Sequence, residues 1–156
     1  MNFDNRSRSE SQRYLCFTLN SSKYAVPLLQ VKEVIGLLKM TPIPQSSPEF
    51  KGIMNLRGQI ISVVDLAIKM QLNPVDVTPE TTTIIFDFSH LTIGVIVDSV
   101  DSVASFEAED ISPLEKTEAI QNTDYVKGVC RSHESLTLIL DLPSIFKTED
   151  LKQLSA

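Results

Sequence analysis

The sequence is poor in the residues on which nucleic-acid-binding and disulfide-stabilised proteins depend. Its 156 residues include no Trp, only 6% aromatic residues and 2 Cys, and the formal net charge is −6. Lys and Arg form no runs, so no face is expected to attract a phosphate backbone or an anionic membrane. Cys16 and Cys130 lie in alternating apolar segments, where we expect buried, unpaired thiols in a reducing compartment.

Long hydrophobic runs are also absent. Apolar stretches such as Val95-Ile96-Val97 fall far short of the ~20 residues that a membrane-spanning helix needs. Residues 1–12 are polar and lack the apolar core of a secretory signal. We therefore expect a cytoplasmic protein with a frayed N-terminal tail. At this length the chain can bury about two-thirds of its unfolded surface, so it needs neither a disulfide nor a metal for stability.

Residue patterns typical of enzymes are missing as well. The chain has no glycine-rich phosphate loop, no Ser-centred nucleophile elbow and no CxxC pair. His90 and His133 fall in predicted turns without ligand-like neighbours at metal spacing. The acidic candidates for acid–base chemistry are Asp65, Asp87, Asp98, Asp101 and Asp141. No nucleophile or second carboxylate is placed beside any of them, so the sequence predicts a protein that is not an enzyme and binds no cofactor or metal.

What the chain does contain is a duplicated segment. Gly52 and Gly128 are 76 residues apart, and so are the Asp-Leu pairs that begin at Asp65 and Asp141. Apolar positions correspond between these anchors, but the turn differs. Its two versions are Asn55-Leu56-Arg57-Gly58 and Arg131-Ser132-His133-Glu134. A duplicated unit with one specialised turn indicates a pseudo-symmetric scaffold whose recognition chemistry lies on one half.

Short β patterns account for most of the remaining sequence. Segments 14–19 and 24–28 flank a turn and predict a hairpin, and segments 52–56 and 59–64 predict a second hairpin around Arg57-Gly58. Segments 83–88 and 91–97 repeat the first pattern. Short helices are expected to begin at Asp65 and near Asp141. About ten strands with little helix predict an all-β fold of two small barrels packed together.

The predicted organisation is a tail at 1–12, one domain at 13–147 and a second tail at 148–156. Residues 73–82 hold two prolines and a threonine run, which indicates a surface connection between halves at roughly 13–72 and 83–147. We also allow the C-terminal elements to pack back on the first barrel.

The turn at Arg57 has two interpretations. Asn, Arg and Gly are ordinary hairpin residues, so Arg57 could simply be solvated. Alternatively, its forked guanidinium is presented to a partner, or pairs with a nearby acid such as Glu33.

The chain resembles the CheW-like chemotaxis coupling proteins from about Arg13 to Lys147. The motifs that carry the resemblance are Tyr24-Ala25-Val26-Pro27, Val31-x-x-Val34 with Glu33, Ile43-Pro44, the segment from Gly52 through Asn55-Leu56-Arg57-Gly58 to Asp65-Leu66, Gly94 through Val97-Asp98-x-Val100-x-x-Val103, and Gly128 with Leu140-Asp141. Each motif is weak, but their order and separations are highly specific. Ser62 stands where the family usually has Pro, and Pro113 is alone in a stretch that is often richer in proline.

The resemblance implies two five-stranded SH3-like barrels and a non-enzymatic adaptor. Such an adaptor joins the cytoplasmic tips of chemoreceptors to the regulatory domain of the histidine kinase CheA, within polar membrane receptor arrays. The implied receptor-binding residues are Val31, Glu33, Gly52, Arg57, Val100 and Val103. For the kinase, Met40 and Ile43 are candidates, because they are apolar residues in a proline-rich connection that we expect to be exposed.

Two alternatives remain open at this point. A coupling protein of the same fold could serve a non-flagellar pathway, such as twitching motility or biofilm control. A nucleic-acid-binding barrel would need a basic face with interleaved aromatics, which this composition disfavours.

Overall fold

Short strands make up most of the chain that the structure describes. The structure is a computed structural model, and it describes residues 11–88, 91–114, 125–132 and 135–146. The strands in these ranges are β1 (Ser11–Leu19), β2 (Ser22–Pro27), β3 (Val31–Gly36), β4 (Phe50–Leu56), β5 (Gln59–Asp65), β6 (Thr82–Phe88), β7 (Leu91–Val97), β8 (Ser99–Glu107), β9 (Ile111–Ser112), β10 (Val126–Ser132) and β11 (Ser135–Leu140). Two 3-10 turns (Leu28–Gln30 and Ala108–Asp110) and the helices α1 (Leu66–Lys69) and α2 (Leu142–Ile145) connect them. None of these helices has the length and apolar character to cross a membrane.

The strands form two sheets that exchange hairpins. Sheet A has the order β8-β1-β2-β11-β10-β9, and sheet B has the order β3-β6-β7-β5-β4. Each sheet therefore combines strands from both predicted halves of the chain. The predicted halves 13–72 and 83–147 do not correspond to the sheets, and the connection 73–82 joins α1 to β6 within sheet B. Two parallel pairings produce this arrangement. The β1–β2 hairpin of the first half joins sheet A through the β2–β11 pairing, and the β6–β7 hairpin of the second half joins sheet B through the β5–β7 pairing. The outer domain limits stay a prediction.

The duplication extends to the pairing register. Gly52 pairs with Val63 and Gly128 with Ile139, and a β-bulge precedes both glycines. An equivalent correspondence, with a spacing of 69 residues, relates β1, β2 and β3 to β6, β7 and β8. Thus Val31 pairs with Phe86 in sheet B, and Val100 pairs with Phe17 in sheet A. The two copies are therefore equivalent strand by strand, and the predicted pseudo-symmetry is confirmed.

The main core lies between the two sheets. Phe17 and Phe86, which occupy equivalent positions, are fully buried there. Fully burying a side chain of this kind stabilises the fold by about 1.5–3 kcal/mol. Leu142 and Phe146, in and after α2, pack into the same cluster. Two smaller clusters fill the interiors of sheets B and A. Because side chains alternate along each strand, one set of side chains packs in the core shared by the two sheets and the other set packs in the smaller cluster of its own sheet.

The helix starts differ between the two copies. Asp65 is buried, and its carboxylate accepts backbone N–H bonds from Ala67 (2.9 Å), Ile68 (3.2 Å) and Val75 (3.0 Å). It is therefore the predicted N-cap. Asp141 also precedes a helix, but its side chain caps no backbone N–H; it accepts the Ser144 hydroxyl at 2.9 Å.

Candidate functional site

The Arg57 turn is a tight two-residue hairpin between β4 and β5. Arg57 and Gly58 both have positive φ, at 52° and 87°. This conformation matches the twist of the flanking strands, and glycine adopts it without strain. The Asn55 side chain accepts the Gly58 N–H at 2.8 Å. The local sequence therefore forms the turn and leaves the Arg57 side chain pointing outward, with 71% of it exposed.

Arg57 forms a bidentate ion pair with Glu33. Nη1 lies 2.7 Å from Oε1, and Nη2 lies 2.6 Å from Oε2. The pair joins the β4–β5 turn to β3, which lies at the opposite edge of sheet B, so it spans the open side of the curled sheet. The hydrogen bonds from Arg57 hold the pKa of Glu33 below its ordinary value, and the positive charges of Arg57 and Lys32 act in the same direction. Of the interpretations that the sequence left open for Arg57, the structure therefore shows the ion pair with Glu33.

The valines predicted to bind the receptor lie on the two edge strands β3 and β8. Val31 and Val100 are half-buried and pack on the core shared by the sheets. Val103 is 45% exposed. Val34, which is 42% exposed, occupies the position of β3 that is equivalent to Val103. The 69-residue spacing between the two strands reveals this correspondence in the sequence.

Gly52 is buried and has a structural part in this region. Its φ is 143°, and a Cβ atom built on it would lie 2.5 Å from the backbone oxygen of Thr41. Thr41 exchanges two backbone hydrogen bonds with Ile53, at 2.8 and 2.9 Å. Gly52 therefore allows the segment between β3 and β4 to lie directly on β4. Any contribution of Gly52 to binding is through the position of this segment, since glycine offers no side chain.

The two kinase candidates lie on that segment, but they differ in exposure. Ile43 is 40% exposed. Met40 is half-buried and packs against the interior cluster of sheet B, so the expectation that it is exposed holds only in part. Of the two residues, Ile43 is the more accessible to a partner.

The other polar candidates have structural partners or lie outside the described residues. Asp87 accepts the Thr92 hydroxyl, Asp98 accepts the Asn20 N–H, and Asp101 pairs with Lys23. His90 and His133 lie outside the described residues. No cluster of three or more His, Cys, Asp or Glu able to hold a metal occurs in the part of the chain that the structure describes.

The cysteines are free thiols in sheet A. Cys130 is buried, as predicted, whereas Cys16 is only half-buried. Burial raises the pKa of both thiols, so neither is activated as a nucleophile at neutral pH.

Comparison with known proteins gives consistent matches along the chain. A family model described as CheW-like domain matches residues 13–150. The chemotaxis protein CheW of Klebsiella aerogenes is 30% identical over 140 residues, which cover 90% of this chain and 84% of that protein. The protein FrzA of Myxococcus xanthus is 26% identical over 102 residues, which cover 65% of this chain and 64% of FrzA.

A solved structure matches the fold. The crystal structure of the scaffolding protein TtCheW from Thermoanaerobacter tengcongensis aligns with a TM-score of 0.79 at 27% identity. The alignment covers 89% of this chain and 90% of that one. The predicted all-β fold of two SH3-like barrels is thereby confirmed.

Proposed function

The chain belongs to the CheW-like family and is a scaffold protein of chemotaxis signalling, and from this premise we propose that it binds chemoreceptor tips and the regulatory domain of the kinase CheA at separate surfaces. It couples the two by binding alone and catalyses no reaction. It acts in the cytoplasm and reaches polar receptor arrays through its partners. This assignment accounts for a chain without catalytic motifs in which one copy of a duplicated turn is specialised.

The proposed receptor face consists of Val31, Glu33, Gly52, Arg57, Val100 and Val103. The observation that carries it is the bidentate ion pair between the exposed Arg57 and Glu33, which lies on the same edge strand as Val31. A helical hairpin tip needs an apolar centre and a polar rim to bind against. The two edge strands supply the valines, and the ion pair supplies the rim.

The proposed kinase surface lies on the segment between β3 and β4. Ile43 is its main apolar contact, with Met40 beside the barrel interior. This segment is held against β4 by the Thr41–Ile53 bridge, so its position is fixed before the kinase binds.

Separate pull-downs of the receptor tip and of the CheA regulatory domain test the two halves of this proposal. We expect both partners to be retained by the wild-type protein. Ile43→Ser should lower retention of the kinase domain alone. Retention of only one partner by the wild-type protein would contradict a coupling function.

Arg57→Ala tests the receptor face. Because most of the Arg57 side chain is exposed, we expect an unchanged thermal unfolding transition together with reduced receptor-dependent kinase activation in a reconstituted assay. Arg131→Ala is the matched control, since it removes an exposed arginine from the equivalent hairpin of the second copy. Full activation by the Arg57→Ala protein would remove Arg57 from the mechanism.

A non-flagellar pathway is the second candidate. The similarity to FrzA is the observation that favours it, since that relative is not named as a chemotaxis protein CheW. The receptor and kinase genes beside the gene for this chain distinguish the two pathways.

A further inference from the structure

The interior of sheet A opens to the surface through a cavity of about 300 Å³. Tyr14, Phe106, Ile111 and Ile139 line it, and Lys127 is the one charged residue among the described residues that do so. Tyr14 and Ile139 belong to the interior cluster of sheet A, and the other two apolar residues pack on it. Protein interiors leave few voids larger than a water molecule, so an opening of this size beside core side chains calls for a covering segment.

The equivalent region of sheet B is covered by a residue of the connection 73–82. Val63, which corresponds to Ile139 at the 76-residue spacing, belongs to the interior cluster on which Val75 packs. Val75 also donates its backbone N–H to the Asp65 carboxylate at 3.0 Å. Asp65 follows Val63 by two residues on β5, so both side chains point to the same face of the sheet. The Asp65 carboxylate therefore holds Val75 against this interior.

The two copies remain equivalent just beyond α1 and α2. Met70 donates its backbone N–H to the carbonyl four residues earlier, and Phe146 does the same, both at 3.0 Å. Phe146 is buried in the core shared by the two sheets, and Met70 packs on that core. Val75 comes five residues after Met70, and Leu151 comes five residues after Phe146 as the first apolar residue of the segment 147–156. This segment lies outside the described residues, and its sequence carries a leucine at the position of Val75.

The Asp141 carboxylate lacks the backbone donor that Asp65 has. Within the described residues it accepts the Ser144 hydroxyl at 2.9 Å and caps no backbone N–H. Asp141 also follows Ile139 by two residues, as Asp65 follows its own interior valine. The acceptor that holds Val75 in sheet B is therefore available in sheet A.

Charge favours the C-terminal segment over the N-terminal one as the occupant of the cavity. At the 69-residue spacing, the N-terminal residue equivalent to Val75 is Arg6. Leu151, in contrast, is apolar and directly follows two acidic residues. Lys127 at the cavity repels an arginine and attracts the acidic pair.

We propose that residues 147–156 dock on this opening and place the Leu151 side chain in the cavity. The Leu151 N–H is then donated to Asp141, as that of Val75 is to Asp65 in sheet B. Burial of the leucine against the apolar lining stabilises the contact. While the segment is seated there, the opening is closed to the side chain of a partner. The contact lies within one chain and does not depend on the proposed receptor and kinase surfaces.

Methyl NMR of the full chain tests this contact. We expect nuclear Overhauser effects between the Leu151 methyl groups and those of Ile111 and Ile139. Leu151→Ser should shift both isoleucine resonances and increase their broadening by a soluble paramagnetic agent. Leu154→Ser is the matched control, because position 154 corresponds to the exposed Thr78 of the first copy, and it should leave both resonances unchanged.

Val75→Ser is the positive control, since it uncovers the equivalent interior and should shift the Val63 methyl resonances. Unchanged isoleucine resonances in sheet B show that Leu151→Ser is folded, and the Overhauser effects in the wild type decide the matter if it is not. Their absence in the wild type, or equal shifts in Leu154→Ser, would overturn the proposal. Shifts caused by Phe3→Ser but not by Leu151→Ser would assign the cavity to the N-terminal segment and overturn it as well.

Discussion

The two copies of the duplicated unit agree in their backbone and differ in the polar contacts at their ends. Asp65 and Asp141 illustrate this, since each donates its backbone N–H at 2.8 Å to an equivalent carbonyl, that of Glu49 or Tyr125. Their carboxylates, in contrast, have different partners. The strand register is maintained because a one-residue slip would turn every buried side chain outward. Side-chain contacts at turns and crossovers carry no such constraint, so function could be placed on one copy.

The largest expected difference between the copies is at the helix starts. Asp65→Ala leaves three buried or half-buried N–H groups without an acceptor, and we expect it to lower the free energy of unfolding by about 3–4 kcal/mol. Asp141→Ala loses one hydroxyl contact and should cost less than about 1 kcal/mol. Urea unfolding of the two variants measures both, and equal losses would contradict the assignment of capping to Asp65 alone.

Gly52 and Gly128 are equivalent glycines, and in both copies we expect a larger residue at this position to destabilise the fold. A Cβ at Gly128 would lie 2.5 Å from Ile111 Cγ2 and 2.8 Å from the Ser112 backbone oxygen, so Gly128→Ala should destabilise by about 1–2 kcal/mol. Gly52→Ala adds a φ of 143° to a clash with the Thr41 backbone, and we expect about 2–3 kcal/mol. Thermal unfolding ranks the two variants. A neutral Gly52→Ala would show that the segment carrying Met40 and Ile43 does not depend on this close approach.

The chain crosses between the sheets twice, and only one crossover is fastened by a carboxylate. Asp98 accepts the Asn20 N–H at 2.7 Å, whereas Leu29, at the equivalent position of the other crossover, is 93% exposed. We expect Asp98→Ala to destabilise by about 1–2 kcal/mol and Leu29→Ser to change stability by less than about 0.5 kcal/mol. Chemical denaturation tests this, and a marked loss for Leu29→Ser would reveal a contact that its exposure does not indicate.

The smallest expected effect is the titration of Glu33, which has no acidic counterpart on β8. Because Arg57 lowers its pKa in the folded state, the pair is stabilising above the ordinary pKa of a glutamate, and its contribution is lost as the pH falls through the lowered value. Carboxyl-carbon NMR should show a midpoint below that of an ordinary glutamate. The midpoint should return toward the ordinary value in Arg57→Gln, and an unshifted wild-type midpoint would indicate that the pair does not persist in solution.

Much of the local structure and part of the site were predictable from the sequence. The hairpin around Arg57-Gly58, the cap at Asp65 and the pairing of Arg57 with Glu33 follow from turn residues, capping residues and complementary charges. Contacts between segments that are distant in sequence were not predictable in this way. Gly52 lies beneath Thr41, and Met40 is partly buried by the sheet B interior; neither contact is encoded near these residues in sequence.

The sequence by itself determined where the strands lie, because alternation and turn residues are local properties of the chain. It also determined that the strands form two equivalent sets, because the 76-residue repeat is visible when the sequence is compared with itself. Only the tertiary structure decided which hairpin completes which sheet. Equivalent strands carry similar apolar patterns, so the local sequence does not specify whether β2 lies beside β5 or beside β11. The pairing of Lys23 with Thr137 brings together residues from opposite ends of the chain. That exchange places β3 and β8, each with its valines, at the edges of the two sheets.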